Sequence, residues 1–175
     1  MINEKKLNLA CGEGKIEGFK GVDLNPSDCT DYILDLEKFP WDIESDSLEE
    51  VWCSHYIEHT SDLVKFMNEL YRVMKVKGKA TLIAPYYSCM RAWQDPTHKR
   101  AICEATFFYF NKEWRTVNKI KHCGIEPNVD FDFTYGYTFS PEWALRSDDA
   151  KAFAVKNYIN VVWDIQIVLT KRPLS

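Results

Sequence analysis

An α/β fold built on a mostly parallel sheet is the architecture that this sequence predicts, and three observations support it. The chain has 175 residues, which is the usual size of one domain with one hydrophobic core. Short strand-like segments alternate with helix-like segments in the first half, as they do in proteins with a parallel sheet. Two longer β-rich segments in the second half are typical of an antiparallel pair. We therefore expect residues 1–175 to form a single domain.

Four short strands are predicted ahead of the first helix. They cover residues 7–10, 21–24, 32–36 and 51–54, and each ends in a polar residue or a turn. From Leu63 to Met74 the apolar residues follow the spacing of an amphipathic helix. Thr60 or Ser61 can cap this helix, and Gly78 lies just past its end. A fifth strand is predicted over residues 79–85.

The second half predicts an antiparallel pair at one edge of the sheet. Residues 129–139 alternate polar and aromatic side chains, and residues 161–169 are rich in β-branched residues. The intervening residues 140–160 are expected to be helical or irregular. The aromatic residues between Phe107 and Trp114 predict a helix packed on the sheet.

Composition and charge argue against several classes of partner. The net charge of −4 comes from well-mixed acidic and basic residues, so no basic surface for a nucleic-acid backbone is expected. No apolar stretch approaches the roughly 18 residues of a membrane span. The six cysteines occur singly and are expected to be reduced structural thiols. We therefore predict a cytoplasmic protein with neither a membrane nor a nucleic acid as partner.

A glycine turn and two aspartates mark one edge of the predicted sheet. Gly12 and Gly14 follow the first strand, while Asp23 and Asp35 end the second and third strands. Because parallel strands end at the same edge, these residues are expected to converge on one pocket where a carboxylate can accept ribose hydroxyls.

The kind of cofactor follows from what this turn lacks. A dinucleotide fingerprint needs a third glycine where this chain has Glu17, and no phosphate-binding loop of the GxxxxGK[ST] type is present. A cofactor that has a ribose but no phosphate fits better. S-adenosylmethionine (SAM) is the common cofactor of this kind.

Four segments carry a family resemblance, in this order: LNLACGEG, GVDLNP, DLEKFPWDIESDSLEEVWCSHYIEH and MKVKGKATLIAP. Together they resemble the class I SAM-dependent methyltransferases, specifically a small type-11-like branch with a shortened first crossover. The resemblance covers roughly the first 110 residues. It implies a Rossmann-like sheet, mostly parallel with a C-terminal antiparallel pair and a reduced first helix.

The resemblance also implies a set of cofactor-binding residues. The turn at the end of the first strand would line the methionyl part of SAM, Asp23 would hold the ribose, and Leu24 would pack on the adenine. Asp35 and Leu36 would bracket the adenine's amino edge, and residues after the fourth strand would lie beneath the sulfonium. The full set is Ala10, Cys11, Gly12, Glu13, Gly14, Asp23, Leu24, Asp35, Leu36, Ser54, His55 and Tyr56.

One departure from the family pattern concerns the first crossover. About eleven positions separate Gly12 from Asp23, where a dinucleotide fingerprint expects about 20. The first crossover helix must therefore shrink to a turn or two, which leaves one side of the cofactor less covered.

Methyl transfer from a sulfonium is an in-line displacement that depends mainly on positioning. The expected acceptor is a small molecule with a nitrogen or oxygen nucleophile, because the nucleic-acid methylation motif [DNS]PP[YFW] is absent after the fourth strand. The polar segment from Asp95 to Arg100 is expected at the mouth of the pocket, where His98 is the first candidate for a general base and His55 the second. A homodimer is left open.

Two alternatives are also left open. The shortened crossover and the absence of an evident base are compatible with a non-catalytic SAM-binding or assembly protein. The HxxEH pattern of His55, Glu58 and His59 also occurs in zinc enzymes when it lies on a helix. Here the pattern straddles a strand end, so the main interpretation assigns no metal, although His98 could complete a cluster with it.

Overall fold

The computed structural model describes residues 1–121 and 129–174. The strands in these ranges are β1 (Lys6–Leu9), β2 (Lys20–Asp23), β3 (Tyr32–Ile33), β4 (Leu48–Ser54), β5 (Met74–Pro85), β6 (Phe131–Phe139) and β7 (Val162–Lys171). The helices are α1 (Leu63–Val73), α2 (Arg91–Gln94), α3 (Ala105–Phe108), α4 (Lys112–Val117), α5 (Pro141–Ala144) and α6 (Asp148–Asn157). Cys123, one of the six predicted thiols, lies outside the described residues, and the other five cysteines are free.

All seven strands form one mixed sheet in the order β3-β2-β1-β4-β5-β7-β6. Strands β1 to β5 are parallel to one another, while β7 is antiparallel to both β5 and β6. This confirms the predicted α/β fold class, including the C-terminal antiparallel pair at one edge. As expected, the segment between β6 and β7 is partly helical, since it carries α5 and α6.

The first half departs from the predicted alternation of strands and helices. Loops and turns connect β1, β2, β3 and β4, and α1 is the first helix of the fully described segment 1–73. The first crossover helix is therefore absent rather than reduced to a turn or two. Residues 10–19 are too few to return along the sheet and also form a helix. Loops cover this face of β1 and β2 instead.

The ends of α1 differ from the prediction. Asp62 is the N-cap, with an extended backbone and a carboxylate that accepts the Lys65 N–H. Ser61, a predicted cap, instead contacts Glu37. β5 begins directly at Met74, so Gly78 lies in a strand rather than after a helix. It sits beside a register shift in β4, where a Cβ would lie only 3.0 Å from the Leu48 carbonyl.

The aromatic segment after β5 forms two short helices rather than one. α3 ends at Phe108, and Asn111 has an extended backbone that interrupts the helical path. The Asn111 side chain accepts the Trp114 N–H and so caps α4.

One hydrophobic core packs α1 against a face of the sheet. Phe66, Met67 and Leu70 of α1 are fully buried against strand residues such as Leu7 and Leu9. Burying such side chains contributes roughly 1.5–3 kcal/mol each, which fixes the parallel strands and aligns their carboxyl ends.

Candidate functional site

The glycine turn follows β1 directly and has an unusual backbone. Both Ala10 and Gly12 have φ of 52°, in the left-handed region that favours glycine. The turn is closed by a hydrogen bond from Gly14 N–H to the Cys11 carbonyl (2.8 Å). The side chain of Asn8, which is buried on β1, donates to the Gly14 carbonyl (2.8 Å). The turn is therefore held against the end of the sheet from two sides.

A second segment, which the sequence analysis did not single out, supports this turn. The Ser27 hydroxyl donates to the Gly12 carbonyl at 2.6 Å, and the Cys29 thiol approaches the Glu13 carbonyl at 3.3 Å. Burial raises the pKa of the neighbouring Cys11 thiol, which keeps it protonated and structural. The sequence feature that relates to this contact is Gly21, because its lack of a side chain allows the backbone of Cys29 to approach β2.

Asp23 lies at the end of β2, next to the glycine turn. Its Oδ2 accepts the Gly12 N–H and its Oδ1 accepts the Asn25 N–H, both at 2.9 Å. A carboxylate oxygen has two lone pairs, so each oxygen retains one for a further donor such as a ribose hydroxyl. The adjacent Leu24 side chain is 57% exposed and presents an apolar surface beside this carboxylate.

Asp35 and Leu36 lie beyond the paired part of β3, which ends at Ile33. Asp35 is partly buried and accepts the Glu37 N–H at 3.0 Å. Leu36 is buried in the core, and its carbonyl accepts the Trp41 indole N–H at 3.1 Å. The two neighbouring residues therefore differ in environment, because the Asp35 carboxylate is partly exposed and Leu36 is a core residue.

The three predicted cofactor residues at the end of β4 also take different positions. Ser54 is the last residue of the strand, and His55 has a left-handed backbone with φ of 54°. The Tyr56 ring packs against Phe66 (centroids 5.7 Å apart) and its hydroxyl donates to Glu37 (3.1 Å). Tyr56 is therefore anchored between α1 and the loop after β3.

Glu37 joins that loop to the start of α1. Its carboxylate accepts the Ser61 N–H and hydroxyl as well as the Tyr56 hydroxyl. Burial opposes ionisation of Glu37, but these hydrogen bonds outweigh it and lower its pKa to about 2. Glu37 was not predicted as a site residue, because its partners lie 19 and 24 positions away in the chain.

The turn after β4 and the segment from Asp95 to Arg100 meet beside the end of β5. The Lys99 N–H donates to the Glu58 carbonyl (2.8 Å), and the Arg100 guanidinium donates to carbonyls of the turn, including that of Ile57 (3.2 Å). These bonds bring the imidazoles of His59 and His98 to a centroid distance of 4.7 Å.

A pocket of about 220 Å³ opens at this junction. The His55 side chain is 41% exposed there, with its Nδ1 3.4 Å from Glu58 Oε1. That contact raises the pKa of His55, against the opposing effect of burial. The lining residues are His55, Glu58, His59, Pro85, Arg91, Gln94, Asp95 and His98. The two predicted base candidates, His55 and His98, therefore share one pocket.

A larger cleft of about 570 Å³ lies on the β1–β2 face that lacks a helix. Its lining includes the charged residues Lys6, Lys15, Lys20 and Asp31, and Gly14 is the one predicted cofactor residue on its wall. We assign the candidate site to the strand ends rather than to this larger cleft, because the hydrogen-bonded turn and Asp23 lie at those ends.

Among the described helices, none is both long and apolar enough to cross a membrane.

Comparisons with known proteins agree with this geometry. A family model described as a methyltransferase domain matches residues 20–82. This segment contains the predicted cofactor residues from Asp23 to Tyr56 but not the glycine turn. An S-adenosylmethionine-dependent methyltransferase from Archaeoglobus fulgidus has a similar structure, with a TM-score of 0.64 and 18% identity over 96% of this chain and 86% of that one. The chain has the class I SAM-dependent methyltransferase fold.

Two further methyltransferase structures are similar. The SAM-dependent methyltransferase from Mesorhizobium loti has a TM-score of 0.58 and 13% identity, over 97% of this chain and 91% of that one. Phosphoethanolamine N-methyltransferase 2 from Haemonchus contortus, solved with S-adenosyl-L-methionine, has a TM-score of 0.53 and 15% identity, over 99% of this chain and 50% of that one. No curated protein matches the sequence.

The predicted resemblance to class I methyltransferases is thereby confirmed, and SAM is the cofactor of that family. In this methyltransferase fold the strand register aligns the ends of β1, β2 and β4, since Leu9 pairs with both Val22 and Cys53. The glycine turn, Asp23 and His55 consequently follow three adjacent strands. The residue-by-residue roles within the site stay predictions.

Proposed function

We propose that residues 1–175 act as one domain that binds SAM at the strand ends and transfers its methyl group to a small-molecule acceptor. The observation that carries the cofactor half is the Asp23 carboxylate, which the Gly12 N–H fixes beside the glycine turn. In this position the carboxylate accepts the ribose hydroxyls, Leu24 packs on the adenine, and the turn contacts the methionyl group.

The acceptor half of the proposal rests on the pocket between β4 and β5. The acceptor nitrogen or oxygen attacks the methyl carbon as the sulfur–methyl bond breaks, and S-adenosylhomocysteine leaves. A proton released from the acceptor goes to an imidazole, either His55 or His98. The Nδ1–H of His98 is held by the Ala92 carbonyl (3.1 Å), which leaves its Nε2 able to accept a proton.

One structural neighbour was solved together with an activator protein. A methyltransferase from Haloferax volcanii was solved in complex with the Trm112 methyltransferase activator. Its fold is similar, with a TM-score of 0.58 and 13% identity over 98% of this chain and 84% of that one.

The cytoplasmic location, the option of a homodimer and the small-molecule class of acceptor stay predictions.

The cofactor half is tested by titrating the protein with S-adenosylhomocysteine in a calorimeter. We expect wild type to bind one equivalent, and Asp23→Ala to weaken binding about 100-fold, because two hydrogen bonds to a charged group are lost. Asp28→Ala removes an exposed carboxylate from the same loop and serves as the matched control with unchanged affinity. The thermal midpoint of each variant is measured to verify folding. Absence of binding by folded wild type near millimolar ligand contradicts the proposal.

Catalysis itself is tested with labelled SAM and a panel of small amine, hydroxyl and carboxylate acceptors. Label transferred by wild type and lost in Asp23→Ala supports a methyltransferase. If S-adenosylhomocysteine binds but no acceptor is labelled, the non-catalytic SAM-binding alternative is favoured.

A further inference from the structure

Glu58 is a buried carboxylate without the partners that such a group requires. The residue is 1% exposed, and neither oxygen accepts a hydrogen bond from any described residue. The His55 Nδ1 stands 3.4 Å from Oε1. Burial of a carboxylate without hydrogen-bond donors is unfavourable, and a bound positive charge would compensate it. The side chain lines the pocket of about 220 Å³, which gives such a charge a place to bind.

Two neighbouring imidazoles are oriented with their free nitrogens available. The Thr97 hydroxyl donates its one hydrogen bond to Asp95 Oδ1 (2.7 Å), so its oxygen accepts a hydrogen bond from the His59 Nδ1–H (3.0 Å). His98 Nδ1 likewise donates to the Ala92 carbonyl (3.1 Å). In the neutral state, both rings therefore keep their lone pair on Nε2. Fixing the second ring nitrogen in this way is how proteins orient histidine ligands of metal ions.

We propose that Glu58, His59 and His98 bind a divalent first-row transition-metal ion. One nitrogen of each imidazole and one oxygen of Glu58 lie within 4.8 Å of one another. Ligands of a tetrahedral ion are about 3.4 Å apart when the bonds are about 2.1 Å, so shifts of about 1 Å close the site. Two imidazoles and one carboxylate form a donor set that suits iron(II), zinc or cobalt and leaves positions open for other ligands.

The charges around the cluster favour a cation. Asp95 Oδ2 lies 3.9 Å from His98 Nε2 and adds negative charge. Arg91, the cationic side chain on the same pocket wall, is paired with Asp164 at 3.0 Å. An ion at this place would lie at the end of β5, and its open positions could polarise an oxygen of the acceptor. His98 would then be a ligand, leaving His55 as the proton acceptor.

The metal site rests on the geometry of the cluster and not on the proposed methyl transfer. The test titrates chelator-treated, reduced wild-type protein with Co²⁺ and records the visible absorption spectrum. We expect one equivalent to bind, with the intense visible bands of a low-coordinate cobalt site and without thiolate charge-transfer bands. His59→Ala and His98→Ala should each weaken binding about 100-fold. Cys103→Ala removes a half-buried thiol outside the cluster, and its binding should equal that of wild type.

A second variant separates metal binding from a structural role of Glu58. Glu58→Gln keeps the shape but not the charge, so in chelator its thermal midpoint should equal or exceed that of wild type, while the rise on adding Co²⁺ disappears. A lower midpoint in chelator together with an undiminished Co²⁺ effect contradicts the proposal. Binding that survives in all three cluster variants, or no binding by wild type, also overturns it. S-adenosylhomocysteine titration of the same samples reports the cofactor site separately.

Discussion

Gly21 shows how one residue without a side chain supports the candidate cofactor site. A Cβ at this position would lie 1.8 Å from the Cys29 carbonyl oxygen and 2.9 Å from the Cys11 sulfur. Neither the backbone of Cys29 nor that of the turn can retreat, because Ser27 and Cys29 hold the glycine turn. The need for glycine thus comes from a close approach of two backbones, which the spacing of residues in the sequence does not reveal.

Replacing Gly21 by alanine is expected to destabilise the protein by at least about 2 kcal/mol, because the overlap requires the backbone to move. Gly136→Ala is the matched control, since Gly136 also lies in a strand but has no atom within 4 Å of its Cβ position. That control should be neutral or stabilising by up to about 1 kcal/mol. Urea unfolding of both variants measures the difference, and equal free energies of unfolding would show that the loop yields freely.

Helix α1 shows which features of a helix can be predicted from the sequence and which cannot. The spacing of apolar residues predicted the helix itself, since burial against the sheet follows that spacing. Three residues in succession, Thr60, Ser61 and Asp62, can each cap a helix. The choice of Asp62 depends on Glu37, which bonds Ser61 from a loop 24 residues earlier. A long-range contact of this kind leaves no periodic pattern.

Some parts of the candidate site are predictable from the sequence and others are not. Ends of parallel strands share one edge, so the glycine turn, Asp23 and His55 could be expected together from the sequence. Thr97 and His59 are 38 positions apart, and only the folded chain fixes their hydrogen bond. The missing first crossover helix was partly foreseen, because segment length limits what residues 10–19 can form.

The Asp62 cap supplies a prediction at this scale. Asp62→Ala should lower the free energy of unfolding by about 1 kcal/mol, because the Lys65 N–H loses its acceptor. Asp62→Asn keeps a capping oxygen without the charge and should retain most of the stability. Chemical unfolding monitored by circular dichroism measures both. A similar loss in the two variants would attribute the effect to charge instead of to the cap.

For the whole molecule, Glu37 makes stability depend on pH. It connects the loop after β3 to α1 and to Tyr56, so its ionised form stabilises the packing of two separate segments. Its pKa falls from 4.5 to about 2 on folding. A carboxyl group with a depressed folded pKa stabilises the folded state above its unfolded pKa, and this contribution is lost as the pH falls through the folded pKa.

Glu37→Gln should therefore lower the free energy of unfolding at neutral pH by about 1–2 kcal/mol, a range that allows for solvent screening of a partly exposed group. The difference from wild type should shrink as the pH falls from about 4.5 and vanish near pH 2. Unfolding curves recorded across this pH range provide the measurement. Glu44→Gln, at an exposed glutamate, is the control and should track wild type. A difference that stays constant with pH would assign the loss to shape rather than to ionisation.

The helix-free connections between β1, β2, β3 and β4 bear on how tightly any ligand can be held. Without a helix over the β1–β2 face, this part of the sheet has loops and a charged cleft where a second apolar layer would otherwise pack. Such regions open locally at a lower free energy than a core buried on both sides. A ligand bound at the glycine turn and Asp23 would have to restrict these motions. The conformational entropy lost in this way would make the binding free energy less favourable. The affinity of this pocket would then be set as much by the order that the ligand imposes as by the hydrogen bonds that it makes.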